Sequence, residues 1–117
     1  MLPAPHRMRR SAEFSLAVRR GRRAGSPRLA VHLLTRTDVD DPARVGLVVS
    51  KGVGIAVTRT RVKRRLRAVA AERLAQLPAG SLTVLRAAPA SATATSAELA
   101  ADLDRALVKL LPAPVAI

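Results

Sequence analysis

At 117 residues the chain is long enough for one domain with its own core and too short for two comfortable ones. Hydrophobic residues make up 49% of it, which excludes wholesale disorder, but aromatics are 1%, the lone Phe14, so the core has to be built from Leu, Val, Ile and Ala. There is no cysteine, which excludes disulfides, thiolate metal sites and cysteine nucleophiles, and the formal charge of +13 calls for a polyanionic partner rather than a neutral small substrate.

That charge is unevenly placed: residues 1–67 hold 17 Lys/Arg against 4 Asp/Glu, whereas residues 68–117 hold 4 against 4. The densest stretch is Lys51 to Arg67, KGVGIAVTRTRVKRRLR, with seven cations and no acid. The N-terminus is Arg-rich but no continuous apolar segment follows it, and no stretch approaches the roughly 18 apolar residues of a membrane span. A soluble cytoplasmic protein is expected, with no membrane and no obligate protein partner.

Residues 1–10, with two prolines and three arginines ahead of any periodic pattern, read as an extended basic arm whose Arg7, Arg9 and Arg10 can lie along a phosphate backbone. Ser11 is a candidate N-cap, Glu13 suits a first helical turn, Phe14, Ala17 and Val18 recur at i, i+3 and i+4, and Gly21 suits a C-terminal stop; a helix over about 12–20 is expected. Arg19 and Arg20, with Arg22 and Arg23, gather at its end and form either a basic corner or a solvated helix terminus. LAVHLL at 29–34 and VGLVVS at 45–50, separated by the Asp- and Pro-bearing TRTDVDDPAR, predict two antiparallel strands joined by an acidic-tipped loop.

After Gly54 the pattern turns helical. Val62, Leu66, Val69, Ala70 and Leu77 share one face, with Arg61, Arg64, Arg65 and Arg67 on the flanks and the opposite side, and Pro78 and Gly80 stop the run. SLTVLRA at 81–87 predicts another strand, so the basic helix connects a parallel pair. Base rates favour a right-handed crossover. Thr95 with Glu98 forms a capping-box pair, and Leu99, Leu103, Leu107 and Leu110 predict a helix over about 96–111, ending before Pro112.

Protein-borne catalysis has no support: there is no Gly-x-Ser-x-Gly, no Walker loop, no metal-ligand spacing and no carboxylate pair in the apolar elements. Asp38, Asp40 and Asp41 read as solvated tip residues, and His32, alone in a strand, as a half-buried packing residue. The start of the basic helix is better suited to phosphate, since free N–H groups and the positive dipole end favour anions and each Arg offers a planar fork. Nucleic-acid binding is the leading reading, over a merely solvated helix face and an anionic membrane surface. The helix lacks the aromatic anchors a membrane would call for.

AEF with Val18 and Gly21 at 12–21, RVGLVVSK at 44–51 and GIAVTRTRVKRRLR at 54–67 closely resemble the bacterial ribonuclease P protein component, in the same order through nearly the whole chain. The third segment is the most specific: the family's Arg-Asn-Arg, hydrophobic, Lys, Arg signature is matched by Arg59, Arg61, Val62, Lys63 and Arg64, with Thr60 in place of Asn. Ala68 stands where relatives often have Glu or Gln. The resemblance implies a single α/β (α+β) two-layer sandwich domain over 1–117, a small four-stranded central sheet with about three helices, and a left-handed crossover that replaces the generic right-handed expectation.

It further implies the protein subunit of an endoribonuclease whose RNA subunit holds the catalytic groups and the magnesium ions, while the protein binds that RNA and the 5′ leader of precursor tRNA. On this basis Lys51, Arg59, Arg61, Lys63, Arg64, Arg65 and Arg67 are expected to contact the RNA subunit. Phe14, Val18 and His32 are expected to line the leader cleft, with Arg7, Arg9, Arg10, Arg19 and Arg20 as secondary contacts. Val18 and His32 stand where relatives often carry Phe and Tyr, so leader recognition is expected to lean on backbone charge. The competing reading is a ribosomal or general RNA-binding protein of related fold.

Overall fold

The computed structural model describes residues 2–111. Three helices, α1 (Ser11–Arg20), α2 (Ala56–Ala71) and α3 (Ser96–Leu110), combine with four strands, β1 (Arg22–Gly25), β2 (Leu29–Leu34), β3 (Arg44–Val49) and β4 (Leu82–Ala87). The strands form one sheet in the order β1-β2-β4-β3, antiparallel except for the β3–β4 pair. The expected parallel pair joined by the basic helix is therefore β3-α2-β4. The expected neighbouring antiparallel strands are corrected: β2 and β3 run in opposite directions but are not adjacent, because β4 inserts between them and bonds to both.

Strand alternation sends side chains to two unlike faces. Val31, Leu33, Val45, Val49 and Leu85 join Val62, Leu66 and Val69 of α2 and Leu99, Leu103 and Leu107 of α3 in the main core. On the opposite face Leu82 and Val84 pack with Ala17 of α1 and Met8, flanked by Phe14, Leu16, Leu34 and Val48. Gly46 makes the second packing possible: a Cβ there would collide with the Phe14 ring, so the sheet lacks a side chain where the aromatic ring rests.

Element ends follow local chemistry. At α3 both halves of the capping box form, with Glu98 N–H donating to Thr95 Oγ1 at 3.1 Å and Thr95 N–H donating to Glu98 Oε1 at 2.9 Å. At α1 the expected Ser11 cap is not used; Ser11 is the first helical residue, and Arg10 precedes it without a side-chain bond. Gly21 ends α1 in an extended conformation, and what it supplies is space, since a Cβ would collide with the Ala17 carbonyl oxygen. The apolar pattern of α2 predicts a helix running to Leu77, but the helix stops at Ala71. Leu77 reaches the core instead from the end of a 3₁₀ turn, Leu74–Gln76.

The N-terminal arm is tethered rather than free. Leu2 and Met8 are buried, Arg7 bridges Val45 in parallel, and Met8 N–H donates to the Val45 carbonyl at 3.0 Å. The arm thus covers part of the otherwise open β3 edge.

Candidate RNA interface

The first turn of α2 is built to attract anions. Neither Ile55, which precedes it, nor any first-turn acid caps its N–H groups, whereas α1 and α3 carry Glu13 and Glu98 in that position. Ile55 and Val57 flank this turn at 73% and 72% exposure. Val62, Leu66, Val69 and Ala70 bury one side of α2, so the cations between them project outward.

These cations occupy different directions. Lys51, Arg61, Arg64 and Arg67 are exposed, while Arg59, Lys63 and Arg65 are partly covered. Arg61 donates to the Ala92 carbonyl at 3.1 Å and Arg65 donates to the Ala94 carbonyl, so the 3₁₀ turn Pro89–Thr93 and the residue after it anchor two guanidinium groups. Each retains further N–H donors for phosphate. Lys63 and Arg67, one helical turn apart, meet Arg7 of the arm around a depression of about 180 Å³ beside Phe14. Thr60 is exposed among them.

Ion pairing separates these residues from Arg28, Arg44, Arg73 and Arg105. Arg28 pairs with Asp102 at 2.8 Å and Glu98 at 2.7 Å, Arg44 with Glu13 at 2.7 Å, and Arg73 with Asp104 at 2.6 Å. Arg105 also bonds Asp102. Among the described residues, no cation of 51–67 has a carboxylate partner. Glu13, Asp41, Glu72, Glu98, Asp102 and Asp104 all pair with arginines outside residues 51–67.

The second expected region is a groove of about 290 Å³ between α1 and the sheet, lined by Phe14, Ser15, Val18, Arg19, Val48, Val84 and Arg86. Phe14 and Val18 line the same groove, and Val18 is 38% exposed. His32 shares that sheet face, between Arg23 and Val84, but is only 5% exposed and is not among the residues that line the groove. Neither ring nitrogen has a hydrogen-bond partner, and burial, then the charges of Arg23 and Arg86, push its pKa below the usual histidine range, which favours the neutral ring. Arg9, Arg10 and Arg20 are exposed near the groove's helix and arm. Arg86 was missed in the sequence; its only signal there is a single charge interrupting the apolar run LTVLRA.

A family model described as Ribonuclease P matches residues 2–111. The chain belongs to the ribonuclease P protein family. It is 56% identical to the ribonuclease P protein component of Streptomyces griseus, covering 95% of this chain and 96% of the relative. The corresponding protein of Beutenbergia cavernae is 59% identical over 94% of this chain and 92% of its own length. Among solved structures, the fold is similar to RNase P protein from Staphylococcus aureus (TM-score 0.78, 22% identity, 92% and 98% coverage) and from Thermotoga maritima (TM-score 0.73, 20% identity, 85% and 94% coverage). The four-stranded sheet and three helices are therefore the fold of this family.

Proposed function

We propose that the chain serves as the protein subunit of the ribonuclease P ribonucleoprotein, assisting endonucleolytic removal of the 5′ leader from precursor tRNA while the RNA subunit supplies the catalytic groups. The observation that carries this reading is the unpaired cationic surface of α2 in a chain that matches its family over residues 2–111. Lys51, Arg59, Arg61, Lys63, Arg64, Arg65 and Arg67 dock the RNA subunit, and Arg7, Arg9 and Arg10 extend that surface. Phe14 and Val18, with Arg19 and Arg20 nearby, receive the leader over the buried His32.

Among the described residues no group of three or more His, Asp or Glu side chains could hold a metal ion. No step is assigned to one, and magnesium belongs to the RNA-containing holoenzyme. Likewise, no helix among the described residues is long and apolar enough to cross a membrane.

The division of labour follows from the chemistry. Guanidinium and ammonium groups neutralise phosphates and release counterions, which brings two polyanions together without reading sequence. A single aromatic ring and a short apolar wall offer the leader little base stacking, so backbone contacts dominate. Reconstitution with the RNA subunit from the same source at low magnesium tests the reading: the protein is expected to increase precursor-tRNA cleavage. RNA binding with no gain in cleavage would leave only a general RNA-binding role.

A further inference from the structure

The sheet face under α1 continues past that helix as a shelf of different character. Strand register aligns Arg23, His32, Val84 and Gly46 in one row across the four strands, and Gly25, Ala30, Arg86 and Val48 in the next. The first row carries Phe14 on Gly46. Beyond it lies a second depression of about 290 Å³, lined by Arg23, Ser26, Ala30, Arg86, Ala87 and Ala88, to which α1 contributes nothing. Arg86 lines both this depression and the α1 groove.

Small residues keep the shelf open. A Cβ placed on Gly25 would lie 3.3 Å from the Arg23 guanidinium, which therefore folds back along its own strand, and Ala30 separates Gly25 from Arg86. Both arginines are exposed and, among the described residues, neither pairs with a carboxylate. His32 lies in the adjoining row, buried, with neither ring nitrogen bonded. Two planar cations over a floor without bulk or aromatic surface suit a phosphodiester, which accepts paired hydrogen bonds, and offer a base no stacking partner.

We propose that Arg23 and Arg86 form a phosphodiester clamp at the far end of the leader groove, with Arg86 fixing the path of the single strand from one depression into the other. The clamp rests on the reading that leader RNA occupies the α1 groove. A phosphate of the RNA subunit would present the same chemistry, and the test separates the two sources.

Arg86→Gln and Arg23→Gln are each assembled with the RNA subunit, and binding is measured for precursor tRNA and for mature tRNA lacking the leader. Removing one charge-assisted hydrogen bond is expected to weaken precursor binding roughly ten-fold, leaving mature-tRNA binding and RNA-subunit assembly unchanged. Arg86→Lys, which keeps the charge without the fork, is expected to recover part of the loss. A neutral methylphosphonate stepped along the leader should weaken the unsubstituted holoenzyme at one position and add nothing to Arg86→Gln at that position. Equal losses on both tRNAs, weakened assembly, or an unchanged precursor preference in both variants would overturn the clamp. If the unsubstituted holoenzyme cleaves but does not distinguish precursor from mature tRNA in binding, the leader reading and the clamp fail together; if it does distinguish them and the variants do too, only the clamp fails.

Discussion

Helices α2 and α3 lie on the same face of the sheet and share one core, yet they treat charge in opposite ways. On α3, Glu98, Asp102 and Asp104 bind Arg28, Arg73 and Arg105, and all three carboxyls sit below their ordinary range: Glu98 through bonds to Thr95, Asp102 through Arg28, and Asp104 through Arg73. On α2 no carboxylate neutralises any cation of 51–67 among the described residues. The contrast teaches that the two helices sort charge differently: the carboxylates of α3 pair with arginines, and the cations of 51–67 are left without carboxylate partners among the described residues.

Substitutions that leave charge alone should have the largest effect on the fold. Leu66 is fully buried under α2, and Leu66→Ala is expected to cost about 3 kcal/mol, measurable as a lower midpoint in urea. RNA affinity would then fall only because less protein is folded. Asp102→Ala, which strips two arginines of a buried partner, is expected to cost on the order of 2 kcal/mol, discounted because both arginines reach solvent. Its RNA salt dependence should match that of the unsubstituted chain; a changed slope would mean that the α3 charges also meet RNA.

A smaller effect distinguishes His32 from the carboxylates. Its folded pKa lies below the unfolded value of 6.5, so the unfolded chain takes up the proton first. Stability should therefore decline as pH falls through 6.5 towards that lower folded value. The α3 carboxylates have depressed folded pKa values, so their contribution persists above 3.8 for the aspartates and 4.5 for Glu98, and is lost only as pH falls through the lower folded values. Unfolding curves at about pH 7 and about pH 5.5 should separate for the unsubstituted chain and converge for His32→Phe. An equal separation in both would assign the early acid loss elsewhere.

The helices were the more legible part of the sequence because their information is local. Val62, Leu66, Val69 and Ala70 mark the inward side of α2, and Thr95 with Glu98 marks the start of α3, within a few residues of chain. Strand order was not legible: the placement of β4 between β2 and β3 depends on pairing across tens of residues. Strand β1 escaped notice because RRAG has no apolar alternation and is a strand only through its bonds to β2. Phe14 and Val18 could be assigned to a groove only through the family resemblance, and Arg23 and Arg86 not at all, since register alone brings them together.

The contrast between the two helices is tested most directly by the salt dependence of RNA-subunit binding. Replacing Arg59, Arg61 and Lys63 together should lower the slope of log affinity against log salt by up to about 2–3 units, at roughly 0.7–0.9 for each phosphate no longer neutralised, with the chain still folded. Asp102→Ala should leave that slope in place. An unchanged slope in the triple variant would contradict the assignment of α2 as the RNA-docking surface.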